Sequence, residues 1–139
     1  MQNKFLDSIT EELNACVTRE EKIETLIFYG RQLKQVTLDK FTPEDKVAGC
    51  TSETYLKLVD TDPPSGALVI GGYSDSLIVK GYLYIISEAY IGYTKDMVKK
   101  SIEDEIKEFI TKAEIDQSVM PSRTNTILNL VYHIKKLLT

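Results

Sequence analysis

The stretch from about residue 76 to residue 91 constrains the fold more than any other part of the sequence. Its pattern is helical but apolar nearly all round, whereas a helix at a protein surface keeps one polar face. The apolar residues are Leu77, Ile78, Val79, Leu83, Ile85, Ile86 and Ala89. We therefore predict that this helix occupies the middle of the domain. Gly81, within it, predicts the close approach of a neighbouring element.

Two amphipathic helices are predicted before this central helix. The first covers about residues 3–15 and places four apolar side chains on one face: Phe5, Leu6, Ile9 and Leu13. The second begins at Thr18, which with Glu21 gives the pattern of a capping box, and continues to about Leu33. We expect the two helices to form a hairpin, followed by a loop over residues 35–46.

The periodicity between this loop and the central helix is typical of strands. Residues 55–59 and 67–73 predict the two strands of a hairpin, joined by the turn-rich segment DTDPPSG at 60–66. The short run 46–48 could add a third strand. The side chains that supply N-cap chemistry for the central helix are those of Ser74, Asp75 and Ser76.

Two further helices are predicted after the central one. Thr94 caps the first of them, and Pro121 with Ser122 begins the last. The buried stripe of the last helix is predicted to contain Ile127, Leu130, Val131, Ile134, Leu137 and Leu138. Helices at both ends and a small antiparallel sheet of two or three strands between them predict the α+β class. A length of 139 residues fits a single domain, 1–139.

Composition narrows the classes of protein to consider. The formal net charge of −4 argues against a nucleic-acid-binding protein, which usually carries a basic patch. No apolar stretch is long enough to span a bilayer, and residues 1–5 lack the apolar region of a signal peptide. We therefore expect a reducing, cytoplasmic setting. Two cysteines do not make a disulfide framework, and Cys16 is expected to be a small apolar filler on a helix face.

The functional prediction depends on Cys50. Gly49 before it permits a tight turn, and Thr51 and Ser52 after it are small polar residues that favour a loop over a core position. We expect Gly49 and Ser52 to shape this loop. A thiol there invites chemistry, because a thiolate is both a nucleophile and a metal ligand.

Several kinds of thiol chemistry find little support elsewhere in the sequence. A cysteine hydrolase needs a base, and the one histidine, His133, is predicted to face solvent, opposite the apolar stripe of the last helix. The C-x-x-C pairs common in structural zinc sites are absent, and one loop cysteine does not supply the thiolates of an iron–sulfur cluster. Thiol–disulfide exchange and sulfur transfer need only one thiol. A hydrolase stays an alternative.

Three blocks of sequence resemble, in the same order, motifs of the SufE family, the sulfur-acceptor proteins of iron–sulfur cluster biogenesis. They are VAGCTS at 47–52, YSDSLIVKG at 73–81 and MPSR at 120–123, and the early Glu20-Glu21-Lys22 also fits. The resemblance covers nearly the whole chain. It implies a fold of the SufE/IscU type, with the small sheet packed against several helices.

The resemblance also implies a function. Cys50 would take persulfide sulfur from a cysteine desulfurase of the SufS type, stimulate that enzyme, and pass the sulfur to an iron–sulfur scaffold of the SufB type. The chain itself would hold no cofactor, because the pyridoxal phosphate belongs to the desulfurase. A regulatory module that binds a desulfurase without carrying sulfur is an open alternative, and so is a homodimer.

The same resemblance points to two supporting residues besides those of the loop. Asp75 could contact the partner, or it could simply cap its helix. Arg123 could stabilise the thiolate or persulfide of Cys50, or it could pair with an acidic side chain at the surface.

Overall fold

Five helices and one antiparallel hairpin form the part of the chain that the computed structural model describes, residues 3–49, 52–60, 68–115 and 126–139. The elements are α1 (Lys4–Asn14), α2 (Arg19–Gln32), β1 (Thr54–Asp60), β2 (Leu68–Ser74), α3 (Leu77–Ala89), α4 (Lys95–Lys112) and α5 (Thr126–Leu137). Short 3-10 turns at Leu38–Lys40 and Pro43–Asp45 interrupt the predicted loop. The α+β class is confirmed.

Helix α3 lies at the centre, as its all-round apolar pattern predicts. It contacts α1, α2, α5 and β2, and Leu83, Ile85 and Ile86 on it are almost fully buried. Several elements therefore share one core, which α3 passes through. None of the described helices is long and apolar enough to cross a membrane.

The closest approach in the helical layer is between α2 and α3, at a pair of glycines. A Cβ atom added to Gly81 would lie 2.3 Å from the carbonyl oxygen of Leu26, and one added to Gly30 would lie 2.8 Å from that of Leu77. There is no room for a methyl group at either position. The predicted close approach at Gly81 is confirmed.

The second helix begins where its cap predicts. The Thr18 hydroxyl accepts a hydrogen bond from the Glu21 amide at 3.1 Å, and the Glu21 carboxylate accepts one from the Thr18 amide at 3.0 Å. The backbone hydrogen bonds from Thr18 and Val17 lower the pKa of Glu21. Helices α1 and α2 both pack on α3, and the Tyr29 hydroxyl of α2 donates a hydrogen bond to Glu12 of α1.

The segment before β1 supplies one backbone hydrogen bond to each free edge of the two-stranded sheet. The amide of Val36 donates to the carbonyl of Gly72 at 3.1 Å on the free edge of β2, and that of Val47 donates to Thr54 at 2.9 Å on the free edge of β1. Lys46 forms one isolated bridge with Tyr55. The possible third strand is thus reduced to that bridge, because a 3-10 turn precedes it and Gly49 turns the chain after it.

The last two helices pack against each other and complete the core. The Thr94 hydroxyl accepts a hydrogen bond from the Met97 amide at 3.3 Å, which confirms the predicted cap of α4. Helix α5 buries Ile127, Leu130, Val131 and Ile134, while Leu137 and Leu138 are partly buried. The predicted start at Pro121 and Ser122 lies outside the described residues.

Candidate functional site

The described structure fixes both ends of the segment that carries Cys50. The hydrogen bond between Val47 and Thr54 brings together the two ends of residues 48–53, which we call the Cys50 loop. Cys50 and Thr51 themselves, and Arg123 near the last helix, lie outside the described residues. Their roles stay predictions.

Gly49 begins the turn into the Cys50 loop. Its φ angle is +84°, in the left-handed region that favours glycine over any residue with a Cβ atom. A Cβ atom there would also lie 2.8 Å from the side-chain nitrogen of Asn129. The position therefore requires glycine for two independent reasons, backbone conformation and space.

Asp75 holds the other end of the loop. Its carboxylate accepts a hydrogen bond from the Glu53 amide at 3.1 Å, and its own amide donates to the Glu53 carbonyl at 3.2 Å. The N-cap of α3 is Ser76, whose hydroxyl accepts from Val79 at 3.3 Å. The interpretation of Asp75 as the helix cap is therefore wrong. Its carboxylate instead ties the start of α3 to a residue three positions after Cys50.

A chain of hydroxyl groups continues this connection inside the sheet. Ser52 Oγ lies 3.1 Å from Thr54 Oγ1, which lies 2.9 Å from Ser74 Oγ, and Ser74 Oγ accepts from the Ser76 amide at 3.1 Å. Thr54 and Ser74 are a directly opposed pair in the hairpin, and both are buried. Sequence analysis missed Thr54. The strand register, once known, would have found the pair.

The prediction that His133 faces solvent is wrong. His133 is 7% exposed, and its Nε2 lies 2.8 Å from the carbonyl oxygen of Leu56 in β1. A carbonyl oxygen only accepts, so Nε2 carries the hydrogen. The reason is the free edge of β1. Val47 donates a hydrogen bond to the carbonyl of Thr54 there, but no strand in the described part of the chain extends along this edge to the carbonyl of Leu56. His133 satisfies that carbonyl instead.

Asn129 is the second functional candidate that sequence analysis missed. It lies one helical turn before His133 on α5, and its side-chain amide lies against Gly49. The spacing of four residues between two polar side chains on a largely apolar helix is the signal that could have found it, because residues so spaced share one face.

Cys16 lies apart from these residues. Its thiol is free and half-buried, 3.4 Å from the hydroxyl of Thr25, and it follows the end of α1 and does not lie on a helix face. Among the residues that the structure describes, no group of three or more His, Cys, Asp or Glu side chains could hold a metal ion.

Comparison with known proteins identifies a family and a similar fold. Residues 7–138 match the SufE family model, described as an Fe-S metabolism associated domain. The solution structure of a hypothetical protein from Thermus thermophilus is similar over 99% of this chain and 98% of that chain, with a TM-score of 0.64. The two sequences are 13% identical, so this similarity bears on the fold alone.

Proposed function

Because this chain belongs to the SufE family of Fe-S metabolism associated domains, we propose that it is a sulfur-acceptor protein. Cys50 takes sulfur from the persulfide of a pyridoxal-phosphate-dependent cysteine desulfurase of the SufS type. The protein stimulates that enzyme and relays the sulfur to an iron–sulfur scaffold of the SufB type. The family match, with one cysteine in a loop closed at both ends, is the observation that carries this proposal.

The chemistry requires only one thiol on this chain. The Cys50 thiolate attacks the outer sulfur of the desulfurase persulfide, and a new sulfur–sulfur bond forms as the bond inside the persulfide breaks. The desulfurase cysteine leaves as a thiolate, and Cys50 becomes a persulfide. The outer sulfur passes from the desulfurase cysteine to Cys50 and keeps its oxidation state. The step therefore consumes no oxidant or reductant.

The surrounding residues support this step by holding the loop. Gly49 turns the chain before Cys50, and Asp75 secures the backbone after it. In the proposal Thr51 belongs to the same loop, and the guanidinium of Arg123 stabilises the thiolate or persulfide. The chain works as a single domain in the cytoplasm and has no resident cofactor, since the pyridoxal phosphate stays in the desulfurase.

The test is sulfur loading measured by intact mass. The protein is mixed with a cysteine desulfurase and free cysteine, and the desulfurase turnover is followed in parallel. We expect the wild type and the Cys16→Ser control to gain one sulfur atom and to stimulate turnover. Cys50→Ser should do neither. The proposal fails if Cys50→Ser still acquires sulfur and still stimulates the enzyme.

The two alternatives give different results in the same experiment. A regulatory module predicts that Cys50→Ser keeps all of its stimulation, with no sulfur gained by the wild type. A cysteine hydrolase predicts burst acylation of Cys50 by an activated ester and loss of activity in His133→Ala. No described contact favours the hydrolase, since Nε2 of His133 is hydrogen-bonded to the backbone of Leu56.

A further inference from the structure

Helix α5 presents one polar side chain to the Cys50 loop and another to the strand that follows it. His133 hydrogen-bonds to the backbone of Leu56 and so anchors α5 to β1. Asn129, one turn earlier, lies against Gly49. The residue before the thiol therefore rests on a helix that is itself fixed to the sheet.

The contact at Gly49 involves the whole amide group. A Cβ atom at Gly49 would lie 2.8 Å from the nitrogen of Asn129, 3.2 Å from its Cγ and 3.4 Å from its oxygen. All three atoms thus occupy the side of Gly49 that a side chain would need. Asn129 is partly buried there, and it fills this space while Gly49 keeps its positive φ angle.

The amide of Asn129 is uncharged, although several residues next to the Cys50 loop are ionisable. Lys46 precedes the loop, Glu53 and Asp75 lie at its end, and His133 follows on α5. Consecutive Cα atoms are about 3.8 Å apart, so a group that touches Gly49 lies within about 8 Å of the Cα atom of Cys50. A charge placed on residue 129 would therefore lie within about 8 Å of that Cα atom.

We propose that Asn129 is a positioning residue for the Cys50 loop: its amide packs against Gly49, in the space that any side chain there would need, and keeps an uncharged group beside the residue that precedes Cys50. The sulfur-transfer role of Cys50 is taken from the proposed function. The contact with Gly49 and the absence of charge on the amide do not depend on it.

The first test measures how fast iodoacetamide alkylates Cys50 as a function of pH, without any desulfurase. A Cys16→Ser background leaves Cys50 as the one thiol of the chain. In Asn129→Asp we expect the apparent pKa of Cys50 to rise by about 0.5, with alkylation about threefold slower below that pKa. The rise should shrink at high salt, because salt screens the added carboxylate.

The matched control is Gln32→Glu, the same amide-to-carboxylate change at an exposed position. Gln32 shares a cleft with Val69 and Ile91, at the other end of β2 from Ser74. We expect no change in the apparent pKa of Cys50 there. An unchanged pKa in a folded Asn129→Asp protein, or an equal rise in Gln32→Glu, would overturn the proposal.

A double-mutant cycle decides the contact itself if Asn129→Asp does not fold. Gly49→Ala should lower the urea midpoint strongly when Asn129 is present and less when residue 129 is alanine, because the smaller side chain removes the obstruction. Additive shifts would contradict the proposal. Neither measurement uses sulfur transfer, so a wild-type protein that fails to take up sulfur would refute the proposed function and leave both results valid.

Discussion

Gly49 and Gly92 share a left-handed backbone conformation but differ in what surrounds them. Their φ angles are +84° and +86°, yet a Cβ atom at Gly92 would meet nothing within 4 Å, whereas at Gly49 it would meet Asn129. Any residue other than glycine in this conformation costs about 1–2 kcal/mol. An alanine at Gly92 therefore loses free energy through the backbone conformation alone, whereas an alanine at Gly49 also loses it through the contact with Asn129.

This pair leads to a prediction for alanine at each position. Gly92→Ala should lower the free energy of unfolding by about 1 kcal/mol, and Gly49→Ala should lower it by more, because it also displaces the Asn129 amide. Urea unfolding measures both losses. Alkylation of Cys50 should change in Gly49→Ala alone. Equal losses of stability at the two glycines would show that the contact with Asn129 has no energetic weight.

The residue that caps α3 is not predictable from the sequence alone. Both Ser and Asp favour the N-cap position. The run Ser74–Asp75–Ser76 therefore predicts the start of a helix but not which of the three side chains caps it. The choice depends on Glu53, whose backbone pairs with Asp75 in the folded structure. That partner is distant in sequence and leaves no local signal.

At the level of elements, the contact between α2 and α3 opposes helix propensity. Alanine normally stabilises a helix interior by about 1 kcal/mol relative to glycine. At Gly81 a methyl group would instead press on the backbone of Leu26, which is not free to rotate away. We therefore expect Gly81→Ala to destabilise the protein, although helix propensity alone predicts that it stabilises it.

We predict that Gly81→Ala lowers the free energy of unfolding by about 3 kcal/mol, near the upper end for an overpacked core. The control is Gly71→Ala, where the nearest obstruction is a side-chain methyl of Val36 at 3.0 Å, which can move. That change should cost far less. Urea midpoints compare the two variants, and a Gly81→Ala protein as stable as Gly71→Ala would contradict the close packing.

Local signals predict the helices better than they predict the sheet edges. Thr18 with Glu21, and Thr94, mark helix starts by chemistry that acts within one turn. The edge of β1 has no such marker. Val47 pairs with Thr54 and His133 with Leu56, so one edge is completed by two residues far apart in sequence. A third strand and a solvent-facing histidine were both reasonable predictions without that long-range partner.

At the scale of the whole molecule, the sequence predicts which helices form but not every contact between them. Lys22 in α2 is 5% exposed, and its ammonium donates to the carbonyl of Ala113 at 2.7 Å, just beyond the end of α4. Lysine is almost never fully buried unless its ammonium group is paired. Lys22 is buried there because the carbonyl of Ala113, the C-cap of α4, needs a donor and the long lysine side chain reaches it.

A similar connection joins α4 to α5 and gives the stability of the molecule a dependence on pH. Glu103 in α4 accepts hydrogen bonds from Lys107 in the same helix at 2.8 Å and from Lys135 in α5 at 2.5 Å. These two bonds lower the pKa of Glu103 from its ordinary 4.5 to about 2, and the bond from Lys107 has the larger effect. A carboxylate with a lowered pKa stabilises the fold above its unfolded pKa, and this contribution is lost as the pH falls through the folded value.

We therefore predict that Glu103→Gln lowers the melting temperature at pH 7 and that the difference from the wild type shrinks between pH 4.5 and pH 2. Thermal unfolding across this range measures it. The control is Glu108→Gln, because Glu108 pairs at 2.6 Å with Lys112, so that this ion pair lies inside α4. Exposed pairs within one helix contribute little, so the control should show a smaller difference at pH 7. A difference for Glu103→Gln that stays constant down to pH 2 would mean that its carboxylate does not link the two helices through charge.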